Sequence, residues 1–156
     1  MKNAIIAILL ILFIQGCSNK QKKNKEGFFS ADKDKIVLGC LQSEDIESIA
    51  EEILNTPKLQ IHVIPLKERS IEIQLLKNDL ITQDLSIKVG GIPVVLNDST
   101  NKTEHTFRIK ALNVNCEKQK LSFSVWYPFE HVVIRGEAIK KHKKWSVQIT
   151  GSGVID

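Results

Sequence analysis

The spacing of the apolar residues changes once along this chain, near residue 57, and this change constrains the fold more than any other feature. Before it, five apolar residues recur at the spacing of one helix face: Ile46, Ile49, Ala50, Ile53 and Leu54. From Lys58 nearly to the end, apolar and polar residues alternate instead, which is typical of half-buried antiparallel strands. The sequence therefore predicts one helix followed by several strands.

The predicted helix has clear limits. Ser43 is placed to cap it, and Glu44 and Asp45 follow at the positive end of the helix dipole. Asn55-Thr56-Pro57 ends it, so we expect an amphipathic helix over about 43–55. Three further carboxylates fall on its outer side, where we expect them to be solvated: Glu47, Glu51 and Glu52.

Turn-forming residues divide the alternating part into strands. Gly90-Gly91 has the spacing of a two-residue hairpin turn, in which glycine supplies a positive φ. The parity of the apolar residues changes near Ala111, which predicts a bulge, and Pro128 should end its strand. The predicted strands cover residues 58–63, 70–75, 85–89, 92–96, 106–116, 121–129, 131–139 and 145–150.

This order of elements predicts an α+β fold, with one helix packed on a curled antiparallel sheet. The alternative is a mainly-β sandwich or barrel that carries a single helix. The element order, with a terminal strand that begins Trp145-Ser146-Val147, resembles that of cystatin-like and nuclear-transport-factor-like domains. Such folds serve many functions, so this resemblance leaves the function open.

The amino terminus carries a separate signal. After Lys2 the chain is apolar from Ala4 to Ile14, roughly half the length of about 20 residues that a membrane-spanning helix needs. A charged start and a short apolar core are typical of export signals. The next residues, Ile14-Gln15-Gly16-Cys17, resemble the lipobox of bacterial lipoproteins.

That resemblance implies the processing and the location of the protein. Residues 1–16 would be a signal peptide, residues 17–27 a flexible tether with lipid on Cys17, and residues 28–156 a single domain. Two or more acyl chains hold a protein stably on a membrane outside the cytoplasm. No acidic residue follows Cys17 at once, which in a Gram-negative source implies the outer membrane, facing the periplasm.

The net charge of +4 comes from the amino-terminal segment. Five of the 22 cations and one of the 18 anions precede Gly27, which leaves 17 of each in residues 27–156. A protein that binds nucleic acid carries its basic excess on the folded domain. A neutral domain, together with export, therefore argues against a nucleic-acid partner.

Two cysteines remain once Cys17 is assigned to the lipid. Cys40 and Cys116 are candidates for a disulfide, because disulfides persist in exported domains. The alternatives are two buried thiols that act as small apolar groups, or a reactive Cys40 whose thiolate is favoured by the helix that follows.

The sequence shows no arrangement that predicts catalysis, a metal or a cofactor. The four histidines stand singly, without a second ligand at the short spacings of zinc sites: His62, His105, His131 and His142. Glu130 and His131 are adjacent, so on a strand they would point to opposite faces. Gly151-Ser152-Gly153 precedes no helix, unlike a nucleophile elbow, and is expected to be a flexible end.

We therefore expect a lipid-anchored, non-enzymatic envelope protein that binds a protein or small ligand, in an inhibitor, immunity or assembly role. The candidate partner surface consists of Trp126 and four residues of a basic turn: Lys140, Lys141, Lys143 and Lys144. Trp is favoured in binding sites, and Trp126 alternates with Tyr127 on the other face. The alternatives are an envelope enzyme with a cleft between helix and sheet, and a passive structural lipoprotein.

Overall fold

Two α-helices precede the sheet, where the sequence predicts one. The structure is a computed structural model and describes residues 38–82, 84–100 and 103–155. The predicted signal peptide 1–16, the lipobox with Cys17, the whole predicted tether 17–27 and residues 28–37 of the predicted domain lie outside the described residues. Among the residues described, no helix is long and apolar enough to cross a membrane.

The first helix, α1, spans Ser43–Leu54 and buries the predicted apolar face. Its N-cap is Gln42 rather than Ser43, so the helix begins one residue earlier than a cap at Ser43 would allow. The backbone N–H of Gln42 donates to Oδ2 of Asp45 at 3.3 Å, which satisfies a backbone donor at the start of the helix. The predicted amphipathic helix is thus confirmed.

The second helix, α2, spans Pro57–Glu68 and replaces the strand predicted at 58–63. Its buried residues recur at helical spacing: Leu59, His62, Val63 and Leu66. Ile61, which the alternating pattern places beside Leu59 and Val63, is 63% exposed. Pro57 does not only end α1; as the first residue of α2 it has a fixed φ that suits a helix start.

The main sheet has six strands in the order β4-β1-β5-β6-β7-β8, and a separate hairpin joins β2 to β3. Strands β5 to β8 are antiparallel, as predicted, but β1 pairs in parallel with both β4 and β5. The α+β class therefore holds, with a mixed sheet. The strands are β1 Gln74–Leu76, β2 Lys88–Val89, β3 Ile92–Pro93, β4 Val95–Asn97, β5 Thr106–Asn115, β6 Lys120–Tyr127, β7 Val132–Lys141 and β8 Lys144–Val154.

Two local predictions are confirmed. Gly90 and Gly91 form the turn between β2 and β3 with φ of +56° and +81°, in the left-handed region that glycine enters without strain. The register of β5 on β6 shifts between Ala111 and Asn113, so the bulge lies where the parity changes. Pro128 ends β6 and begins the 3₁₀ helix Pro128–Glu130.

The carboxy-terminal prediction is wrong. Gly151-Ser152-Gly153, expected as a flexible end, belongs to β8 and pairs with β7, where Gly151 lies opposite Arg135. Glycine weakens a strand through its conformational entropy, but here the pairing with a long neighbouring strand outweighs that cost.

The core lies between the helices and the inner face of the sheet. Phe107 and Tyr127 stack there with ring centroids 4.4 Å apart, and the ring of His62 on α2 lies 5.5 Å from that of Tyr127. Gly136 is required by packing, because a Cβ at this position would lie 2.6 Å from Cζ of Phe123. A disulfide between Cys40 and Cys116 ties the segment before α1 to the β5–β6 turn.

Candidate functional site

The face of β5–β8 that points away from the helices, called the outer face here, carries Trp126. In β6, Trp126 alternates with the buried residues Val125 and Tyr127, so it lies on the opposite side from the core. Its register partners on the neighbouring strands are Arg108 and Val133. The outer face is therefore the surface that would carry the partner site predicted from the sequence at Trp126.

The charged side chains of the outer face are mostly cations. Strand parity and register place six cations and one carboxylate there: Arg108, Lys110, Lys120, Arg135, Lys141, Lys144 and Glu137. Lys120 and Glu137 form an ion pair of 2.7 Å. Cations thus outnumber carboxylates on this face, an imbalance that the neutral composition of the domain does not reveal.

Trp126 does not offer an open ring. The guanidinium carbon of Arg108 lies 4.2 Å from the centroid of the Trp126 ring, in a cation–π arrangement. Nε of Arg108 and Nε1 of Trp126 are both buried, and neither has a hydrogen-bond partner in the described structure. Burial lowers the pKa of Arg108 from its ordinary value. A partner that binds at this position would therefore contact Arg108 and Trp126 together, and not an uncovered Trp126 ring.

The predicted basic turn divides between the two faces. Lys141, Lys143 and Lys144 are exposed at the end of the β7–β8 hairpin, whose turn residues His142 and Lys143 both have positive φ. Lys140 belongs to the other side, because strand parity directs it to the inner face, where it contacts α1. Of the four lysines predicted for a partner surface, Lys141 and Lys144 lie on the outer face, Lys143 lies in the turn and Lys140 lies on the inner face.

Lys140 instead forms part of a clasp between the hairpin and α1. Its Nζ donates to Oδ1 of Asp45 at 2.6 Å, and Nε1 of Trp145 donates to the same oxygen at 2.8 Å. Burial alone would raise the pKa of Asp45, but the hydrogen bonds from Lys140, Trp145 and the backbone of Gln42 bring it below its usual value. We name these three side chains, Asp45, Lys140 and Trp145, the Asp45 clasp.

A shallow depression of about 360 Å³, open solvent included, lies beside the Asp45 clasp and the disulfide. Its lining includes Cys40, Cys116 and all three residues of the clasp. The polar groups of the clasp bond to one another, since Nζ of Lys140 and Nε1 of Trp145 both donate to Oδ1 of Asp45. We therefore assign a structural role to this end of the sheet.

Glu130 pairs with His62, which is distant in sequence, and not with the adjacent His131. Its Oε2 lies 2.8 Å from Nδ1 of the buried His62, whereas the adjacent His131 takes a left-handed φ of 54° after the 3₁₀ helix. Nearby, Nδ1 of His105 lies 3.2 Å from the hydroxyl of Tyr127. Burial, and then the charges of Glu130 and Glu104, raise the pKa of Tyr127 to about 12.

These contacts tie α2 to the end of β6. Sequence reasoning missed them because the alternating pattern predicts a strand at His62 and because Glu130 lies far along the chain. His62 and Glu130 form a pair, and His105 contacts a neutral phenol. Among the residues described, no group of three or more His, Cys, Asp or Glu side chains is arranged to hold a metal ion.

The outer face is therefore the candidate site, and its chemistry is that of a cationic, solvent-facing sheet with a single covered aromatic ring. No family model, no curated protein and no solved structure matches this chain.

Proposed function

We propose that this chain is a lipid-anchored, non-enzymatic protein of the bacterial cell envelope that binds an acidic protein partner through the outer face of its sheet. The lipobox resemblance at Cys17 supports the anchor. The single observation that supports the binding function is the excess of six cations over one carboxylate on the outer face. A surface of one sign steers and orients a partner of the opposite sign.

Two carboxylates of the domain are engaged on the other side of the sheet. Oε1 of Glu47 accepts from the backbone N–H of Ser86 at 2.6 Å, and Oε1 of Glu51 accepts from that of Lys88 at 2.8 Å. These two residues of α1 are thus not the solvated acids that helix periodicity predicts. Since they hold β2 against α1, they cannot neutralise the opposite side of the sheet.

An acidic protein suits this face better than a nucleic acid. Proteins that bind single-stranded nucleic acids combine cations with aromatic rings on which bases stack. Trp126 is the aromatic residue among the outer-face positions of β5–β8, and Arg108 covers it at 4.2 Å. The export signal predicted at residues 1–16 also argues for a partner outside the cytoplasm.

Photo-crosslinking in intact cells tests the proposed surface. A photoreactive residue is placed at Ser122 or Ser124 on the outer face of the full-length protein, and at the exposed Lys58 of α2 as a control. We expect one acidic protein to crosslink from both serine positions and not from Lys58. Crosslinks from Lys58 alone, or from none of the three positions, contradict the proposal.

Charge reversal provides the matched variants. Lys110→Glu and Lys141→Glu together should abolish the crosslink from Ser124, because they reverse two exposed charges of the outer face. Lys58→Glu alters one exposed charge on α2 and should leave the crosslink unchanged. Mass spectrometry of the mature amino terminus tests the anchor separately, and an unmodified Cys17 that follows an intact signal peptide would contradict it.

A further inference from the structure

Strand β8 forms an edge of the sheet, and its one usual protection is a bulge at Thr150, where its register on β7 shifts between Ile149 and Gly151. It spans 11 residues, Lys144–Val154, of which only Lys144 is charged and none is proline. Natural edge strands are commonly short, charged or interrupted, because their unpaired backbone groups can bind another strand. The opposite edge, β4, follows that rule with three residues, Val95–Asn97.

The hairpin geometry shows which backbone groups of β8 face outward. A two-residue turn makes Lys141 and Lys144 a hydrogen-bonded pair, after which bonded and non-bonded pairs alternate. The N–H and C=O groups of Trp145, Val147 and Ile149 therefore point away from β7. These three residues offer consecutive sites for an added strand.

The surroundings of this edge differ between the two faces. On the outer face, Lys141 and Lys144 lie at one end of β8, and open space surrounds Gly151 and Gly153, where an added Cβ would meet no atom within 4 Å. On the inner face, Val147 and Ile149 are half-buried, and Val154 is 72% exposed. A strand beside β8 would thus meet positive charge on one side and apolar surface on the other.

We infer that β8 binds an extended segment of the acidic partner as an added strand, in which Asp or Glu alternates with apolar residues. This inference rests on the proposed function and adds the mode of recognition. Backbone hydrogen bonds would supply affinity, while the outer-face cations and the apolar inner edge would select the alternating pattern. The side chains of a strand point alternately to the two faces, so one partner segment can satisfy both.

A second copy of this chain is a less suitable occupant of the edge. Pairing β8 with β8 would make the two outer faces continuous and bring their lysines onto one surface. Like charges placed together across an interface are unfavourable. Charge complementarity therefore favours an acidic segment.

Two methylated peptides test the inference. The probe is a peptide of about ten residues in which Glu alternates with Val, a length that suits a typical strand. One derivative is N-methylated at every Glu and the other at every Val. Along a strand, the N–H groups of alternate residues point to opposite edges, so each derivative lacks the donors of one edge only. The two derivatives have the same charge and the same amino-acid sequence.

The full-length protein in neutral detergent micelles is titrated with each peptide at low salt. We expect the unmodified peptide to bind and to slow amide hydrogen exchange at Trp145, Val147 and Ile149. One methylated derivative should bind at least about tenfold more weakly and the other nearly as well as the unmodified peptide, because an added strand uses one edge.

The other outcomes overturn the inference in distinguishable ways. Equal binding of all three peptides, without protection of β8, rejects strand addition and leaves the proposed acidic-partner function standing. Absence of salt-dependent binding by any acidic peptide rejects both. Protection of β8 that rises with protein concentration alone assigns the edge to a second copy. Tighter binding of an oligonucleotide or of anionic vesicles, with the same amides protected, assigns it to those ligands instead.

Discussion

Nζ of Lys140 donates to Oδ1 of Asp45 at 2.6 Å and so joins two residues that are 95 positions apart in the chain. Trp145 donates to the same carboxylate oxygen. The Asp45 clasp fixes the first turn of α1 against the β7–β8 hairpin. Lys140 can take part because strand parity places it on the inner face, although it stands in a run of lysines.

Asp45→Ala should destabilise the protein by about 2–3 kcal/mol, because it leaves a partly buried ammonium and an indole N–H without their acceptor. Urea unfolding followed by circular dichroism measures this loss. Glu52→Ala, an exposed residue of the same helix, should change the free energy of unfolding by no more than about 0.5 kcal/mol. Equal losses in the two variants would contradict a special role for the clasp.

The contribution of Asp45 should also depend on pH. Its pKa is lowered in the folded protein, so its contribution to stability is complete above the unfolded pKa of about 4 and is lost as the pH falls through the folded pKa. The difference in unfolding free energy between the wild type and Asp45→Asn should therefore be largest near neutral pH and shrink below pH of about 4. A difference that stays constant down to acid pH would disprove this linkage.

Loss of the disulfide should lower stability by up to about 4 kcal/mol, because the closed loop is long and its closure restricts the unfolded chain. Cys40→Ser, Cys116→Ser and the double variant should all show the same unfolding midpoint. A reductant should bring the wild type to that midpoint and leave the three variants unchanged. A reductant that has no effect on the wild type would show that the two thiols are not joined.

Gly136→Ala should destabilise the sheet by about 1–3 kcal/mol, because the new Cβ would lie 2.6 Å from Cζ of Phe123 and 2.7 Å from the backbone oxygen of Gln148. Gly151→Ala is the matched control on the neighbouring strand, since its Cβ would meet no atom within 4 Å. Thermal unfolding of both variants compares them directly. A Gly151→Ala variant as unstable as Gly136→Ala would mean that strand propensity, and not close packing, determines both results.

Tyr127 is the one tyrosine of the chain, so the ultraviolet absorbance of tyrosinate reports on it alone. The folded protein should titrate with a pKa of about 12, compared with about 10 when unfolded. Because the folded pKa is raised, the neutral phenol stabilises the fold fully below pH of about 10, and this contribution is lost as the pH rises toward the folded pKa. Glu104→Gln should lower the pKa of Tyr127, since the nearby charge helps to raise it. A folded protein that titrates near 10 would contradict this environment.

Local patterns in the sequence predicted the elements that depend on neighbouring residues. The helix α1, the Gly90-Gly91 turn and the bulge after Ala111 all follow from periodicity or turn chemistry over a few positions. The same reasoning failed at α2, where Leu59 and Val63 occupy positions that suit both a strand and a helix. Packing against the sheet, which buries His62 and exposes Ile61, decided between them.

The sequence by itself determined the α+β class, the neutral balance of charges in residues 27–156 and the lipobox resemblance at Cys17, because each is a property of composition or of short segments. Tertiary structure alone decided which lysines face outward, which histidine meets Glu130 and which strand is left at the edge. Those relationships depend on strand order and on contacts between distant residues, and no local pattern specifies either.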